Sequence, residues 1–276
     1  RQERRALAAK RWPPARRFAR WLSRVPFLRM VAVCGSQAME NGAQDGDVDL
    51  FLITVPGRLW LAQAATMTLR RLGRWLGLDL CPNYLMTTDA LTIERHNLYT
   101  AREATQVVPL WGAKAHAAFL DANPWIDSFL PQARVLARSG ERQRFLEGGR
   151  QHGSTAILER LLGGRLGDAL DRTIHRVLLR YYHWRLRRHG WSREAIAQAY
   201  RRDRQMVITG GYAKAVAQRF LEQGERQLAD TVGADELRRW FFGDTAATPG
   251  EPAQATDEAP DPLYAGLMAT RYGGGR

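Results

Sequence analysis

The sequence is poor in the residues that cross-link small folds. Its 276 residues carry two cysteines, Cys34 and Cys81, and six histidines. None of these falls at zinc-ligand spacing, so no zinc site is read from the cysteines and histidines. Both cysteines sit in apolar runs, which reads as a pair of buried reduced thiols. No apolar run reaches the roughly 18 residues of a membrane span, so no membrane span is expected. Residues 1 to 30 are Arg-rich and lack the apolar core of a secretory leader, which fits a cytoplasmic protein. The first residue is Arg1, not Met, so the start of the sequence is not read as the start of the protein. Gly-x-Gly-x-x-Gly is absent. So are a Gly-Lys-Ser or Gly-Lys-Thr phosphate loop and a Gly-x-Ser-x-Gly elbow, which leaves Rossmann, P-loop and serine-hydrolase chemistry without support. Lysine is scarce as well, and arginine carries nearly all the positive charge.

What is present is a pair of short motifs on the ends of two apolar runs. Val31 to Cys34 leads into Gly35-Ser36, and Asp47-Val48-Asp49 leads into Leu50 to Ile53. Ten residues, Gln37 to Gly46, separate the pairs, and Asn41, Gly42, Asp45 and Gly46 supply turn chemistry. Both apolar runs read as buried strands. Side chains two apart on a strand share a face, so Asp47 and Asp49 point the same way. Two carboxylates on one face repel unless a cation sits between them, and hard divalent ions take oxygen ligands. At the other pair, Gly35 permits a tight turn and close approach, and a helix starting near Ser36 favours an anion such as phosphate. A phosphate cradle facing a metal-binding acid pair suits phosphoryl or nucleotidyl transfer. The residues also admit a plainer reading, a turn with two solvated aspartates.

The pattern apolar-Gly-Ser, about ten residues, then Asp-apolar-Asp-apolar resembles the signature of the polymerase-beta-type nucleotidyltransferase superfamily. Gly35-Ser36 and Asp47-Val48-Asp49-Leu50 match at each fixed position, over roughly residues 30 to 110. The resemblance implies an α+β fold with a mixed sheet. It implies Mg²⁺ or Mn²⁺ on Asp47 and Asp49, with a nucleoside triphosphate on Gly35 and Ser36. It also implies a third acid on a neighbouring strand, which completes the metal site or acts as base. Asp79, between Leu78 and Leu80, is the candidate by position and type; an acid at a strand mouth with no catalytic part is the competing reading. The same fold without catalysis, a nucleotide- or RNA-binding module of antitoxin or scaffold type, is the alternative to the enzyme.

The coarse organisation follows from periodicity and breakers. Residues 1 to 14 read as a basic extension. Residues 15 to 110 read as the α/β unit: a helix at 15 to 25, the two motif strands, a helix at 58 to 76, and a strand at Leu78 to Met86, with helices on one face. The helix at 58 to 76 shows Leu61, Ala64, Ala65, Thr68, Leu69, Leu72 and Leu76 on one side. From Leu91 on, the pattern is helical, and residues 111 to 242 read as a helical domain. Helices are expected at Asn97 to Val108, Trp111 to Asn123, a short one from Pro124, Arg142 to Arg188 with breaks at Gly148-Gly149 and Gly163-Gly164, one opening at Ser192, and Lys214 to Leu228. Residues 243 to 276 read as a disordered tail. Arg58 is read either as a phosphate contact or as an exposed first-turn residue.

The formal net charge is +13 and uneven. Residues 1 to 30 hold ten Arg or Lys against Glu3, and residues 172 to 204 hold ten Arg against Glu194 and Asp203. Leu170, Ile174, Val177, Leu178 and Tyr181 form an apolar stripe, and Arg172, Arg176, Arg180, Arg187 and Arg188 lie off it. Such clusters suit RNA or polyphosphate, and they equally suit a solvated surface. The acceptor and the nucleobase stay open at this level.

Overall fold

The computed structural model describes residues 2–42, 47–75, 80–140, 142–146, 153–188 and 190–206, with Gly233 and Glu236. The break expected at Gly148-Gly149, the helix expected at Lys214 to Leu228 and the tail from 243 lie outside these residues. The protein is α+β. A mixed five-stranded sheet runs in the order β4-β1-β2-β3-β5.

Strands β1 (Leu28–Val33) and β2 (Val48–Thr54) are antiparallel, with Val33 opposite Leu50. Helix α3 (Leu59–Trp75) carries the chain back, so β3 (Leu80–Thr87) lies parallel to β2. The outer strands are β4 (Val108–Trp111) beside β1 and β5 (Arg204–Met206) beside β3. Neither was expected. Each is only three or four residues long, and Pro109 disguises β4. A proline is tolerated there because β4 is an edge strand, where one N–H row needs no partner.

Strand alternation divides the core. Val31, Val33, Leu50, Leu52 and Leu85 face one layer, with Phe18, Leu22, Trp60 and Ile196. Met30, Ala32, Phe51, Ile53 and Met86 face the other, with Ala101, Phe119, Leu120 and Ile126. The first layer belongs to α1 (Gln2–Leu22), α3, α9 (Arg165–Arg187) and α10 (Arg193–Ala199). The second belongs to α4 (Leu98–Gln106), α5 (Ala113–Asp121), α6 (Ile126–Phe129) and α7 (Ala133–Ala137). The sheet is therefore covered on both faces, not one, because α4 to α7 fold back onto the Phe51 side.

Three helical faces differ from expectation. Helix α1 begins at Gln2, ahead of Pro13 and Pro14. Interior prolines cost about 3 kcal/mol or more. Here Ala8, Trp12, Ala15, Phe18, Ala19 and Leu22 form one buried stripe that runs through them. In α3 the buried residues include Leu59, Trp60, Ala62, Gln63 and Thr66, and Ala65 and Leu69 of the expected face pack beside them. Gln63 and Thr66 are polar, so a hydrophobic count does not mark them. In α9, Leu170, Val177 and Tyr181 are exposed, whereas Ile174, Leu178, Leu179 and Tyr182 pack inward. Helix α4 follows the sequence closely: Asn97 caps it, accepting from the Thr100 backbone N–H in a capping box. Helix α8 (Gly153–Leu162) and α9 break at Gly163-Gly164 as expected.

Arg58 is neither a phosphate contact nor an exposed residue. It is 4% exposed and donates to the carbonyls of Leu162 (2.9 Å), Gly163 (2.7 Å) and Gly164 (3.1 Å), and it pairs with Asp168. These bonds tie the start of α3 to the α8–α9 turn. Asp171 adds a second tie, accepting from the backbone N–H groups of Trp60 and Leu61, both at 2.9 Å. Among the described residues no helix is long and apolar enough to cross a membrane.

Candidate functional site

Asp47 directly precedes β2, and Asp49 is its second residue. Asp49 shares the parity of Phe51 and Ile53, so both carboxylates stand at the rim of the α4–α7 side of the sheet. Across the antiparallel ladder, the Cys34 N–H donates to the Asp49 carbonyl at 3.0 Å. That bond sets the end of β1 against the start of β2. The chain then turns sharply at Gly35, whose φ is +64°. A methyl group on Gly35 would lie 2.5 Å from Asp49 Oδ2, so any larger residue here must push the carboxylate aside. Ser36 follows in the short helix α2 (Gly35–Ala38) and is half-buried. The two motifs, ten residues apart in sequence, therefore form one site.

The N-terminal helix braces this turn. Gln37 Nε2 donates to the Ala8 carbonyl at 2.8 Å, and Arg4 reaches Asn41 Oδ1 at 3.2 Å. Residues 2 to 14, as part of α1, thus do more than extend the chain.

The parallel register places Cys81 opposite Asp49. One ligand atom each from Asp47, Asp49 and Cys81 lies within 4.8 Å of the others, and all three residues are half-buried. Asn83 joins two of them: its Nδ2 donates to Asp49 Oδ1 at 2.5 Å, and its Oδ1 accepts from the Cys81 thiol at 3.4 Å. Asp79 lies outside the described residues.

Two further groups belong to the neighbourhood. Burial raises the Cys34 thiol well above its ordinary range, and the charges of Asp49, Glu103, Cys81 and Asp47 raise it further. Cys34 thus stays protonated. Glu103 on α4 is itself raised by burial, with Arg102 opposing. It was not singled out from the sequence, and no motif marks it; only the packing of α4 brings it near Cys34.

The five arginines Arg172, Arg176, Arg180, Arg187 and Arg188 are all exposed on or beside α9. Arg188 lies over the Trp184 ring at 4.3 Å, and Arg185 donates to the Tyr181 hydroxyl at 2.9 Å. Helix α9 covers the layer opposite the carboxylates, so the fold does not bring these arginines to the acid pair.

Compared with known proteins, the chain matches no protein family, no curated protein and no solved structure.

Proposed function

We propose that the chain is a metal-dependent nucleotidyltransferase that moves a nucleoside monophosphate from a triphosphate to an acceptor hydroxyl. The observation that carries this reading is the contact between Gly35 and Asp49. It puts the backbone turn best suited to a phosphate directly against a carboxylate pair suited to a divalent ion. The nucleotidyltransferase-like order of the sheet, with the Gly-Ser strand antiparallel to the acidic strand, is part of the same proposal.

The donor set fits a divalent cation: two carboxylates and a third donor converge at half-buried positions. Asp47 and Asp49 would hold it. When bound, such an ion neutralises the triphosphate and the charge that develops at its α-phosphorus. The chain's own residues do the rest. Gly35 admits the phosphates to the acid pair because it has no side chain to block them. Ser36 offers a hydroxyl beside the turn. Asn83 holds Asp49 in one orientation through its amide. Asp79 keeps the proposed role of base toward the acceptor hydroxyl, whose oxygen attacks the α-phosphate as pyrophosphate leaves.

A second reading has one observation in its favour. The β3 residue registered with Asp49 is a cysteine rather than a carboxylate, as suits a binding module without transfer. The two readings separate on pyrophosphate. The enzyme releases it from a triphosphate with Mg²⁺ or Mn²⁺ and a cell-extract acceptor, whereas the module binds and releases none. Calorimetric titration of each nucleoside triphosphate tests the site itself. Asp47→Asn with Asp49→Asn abolishes metal-dependent binding while circular dichroism stays unchanged. Undiminished binding in the double variant would refute the assignment.

A further inference from the structure

We propose that Cys81 is a third metal ligand, making this a mixed carboxylate–thiolate centre that selects a borderline ion such as Zn²⁺ or Co²⁺ over Mg²⁺. The proposal deepens the reading of Asp47 and Asp49 as metal ligands and rests on that part of the proposed function alone.

Three observations carry it. The β2–β3 register sets Cys81 directly across from Asp49, so the two side chains issue from neighbouring strands at one level. The thiol and one oxygen of each carboxylate already lie within 4.8 Å of one another. In a tetrahedral site with bonds of about 2.0–2.3 Å, donors sit about 3.5 Å apart, so closure needs movements of about 1 Å. Half-buried side chains can make such movements by rotation about χ1. Asn83 is the third observation: one amide side chain holds Asp49 by its Nδ2 and the Cys81 thiol by its Oδ1. Metal-ligating carboxylates are usually held by an outer hydrogen bond, and Asn83 supplies one to Asp49 while keeping the Cys81 thiol beside it in the metal-free site.

The chemistry of the donors then decides the ion. Mg²⁺ takes near-octahedral oxygen donors and keeps its waters, and it gains little from sulfur. Thiolate favours zinc and other borderline or soft ions. On binding, the S–H bond breaks, a sulfur–metal bond forms and one proton leaves to solvent. The Cys81–Asn83 hydrogen bond is lost, and Asn83 keeps its hold on Asp49. Cys34 contributes no donor to the cluster.

Cobalt(II) chloride is the probe, titrated into the full chain under reducing conditions without nucleotide. The expected result is a near-ultraviolet thiolate-to-cobalt charge-transfer band. Cys81→Ser loses that band, and Cys34→Ser keeps it. Competition against Co²⁺ should show Zn²⁺ binding weakened about 10–100-fold or more in Cys81→Ser, with Mg²⁺ binding unchanged. Cys81→Asp should restore an oxygen-only site and move the preference toward Mg²⁺. Absence of the band in the wild-type chain overturns the proposal, as does its persistence in Cys81→Ser. The outcomes stay separate from the nucleotide reading. If the band is present and no triphosphate binds, the metal centre stands and nucleotidyl transfer falls. If a triphosphate binds with Mg²⁺ and the band is absent, the reverse holds.

Discussion

Gly35 and Asp49 are in such close approach that a single methyl group on Gly35 would overlap the Asp49 carboxylate, at 2.5 Å from Oδ2. Gly35→Ala therefore meets two costs. The left-handed φ of +64° costs a side chain about 1–2 kcal/mol, and Asp49 must move away. The variant is expected to fold with a lowered melting temperature. Misplacing the acid pair by about 1 Å should slow pyrophosphate release on the order of 100-fold. Wild-type release rates in Gly35→Ala would show that the contact has no part in the chemistry.

Arg58 should act on stability and not on nucleotide. Removing its buried guanidinium leaves the carbonyls of Leu162, Gly163 and Gly164 without that donor. Arg58→Ala is expected to lose about 2–4 kcal/mol in urea unfolding, with triphosphate affinity retained by the folded fraction. Arg58→Lys should rescue little, because one ammonium cannot reproduce the planar fork. A large fall in triphosphate affinity would return Arg58 to the phosphate site.

His116 gives the fold an acid sensitivity. It is 0% exposed, and neither ring nitrogen has a hydrogen-bond partner among the described residues. Burial lowers its pKa to about 4 from an ordinary 6.5, and the charge of Arg138 adds to the shift. Between those values the unfolded chain binds a proton that the folded chain does not. Stability is therefore unaffected above about pH 6.5 and falls as pH drops toward 4, by up to about 3 kcal/mol. His116→Leu should remove this slope. Denaturation curves at pH 7 and pH 4.5 that shift equally in both proteins would contradict it.

The α9 face tests the acceptor. If the acceptor is RNA, binding should weaken with salt at a slope of about −0.7 to −0.9 per phosphate contact. Replacing Arg172, Arg176 and Arg180 by alanine should flatten that slope. Triphosphate affinity should not change, because α9 lies over the other face of the sheet. Trp184, 57% exposed beside Arg188, offers a stacking surface, and Trp184→Ala should weaken single-stranded RNA further. Fluorescence anisotropy at several salt concentrations reads both effects. No RNA binding at low ionic strength would move the acceptor to a small molecule or a protein.

The sequence by itself determined what is written within about ten residues. The apolar runs at Val31 to Cys34 and Val48 to Ile53 specified β1 and β2, and the two-residue spacing set Asp47 and Asp49 on one face. Asn97 announced α4, and Gly163-Gly164 announced the break before α9. Tertiary structure decided whatever depends on residues distant in the chain. Strands β4 and β5 are too short to show a period and exist because β1 and β3 offer them open edges. Arg58 is buried only because the α8–α9 turn closes over it, 104 to 106 residues later. Cys81 stands opposite Asp49 because α3 connects β2 to β3, and a parallel register is set by how that crossover helix packs rather than by a local turn.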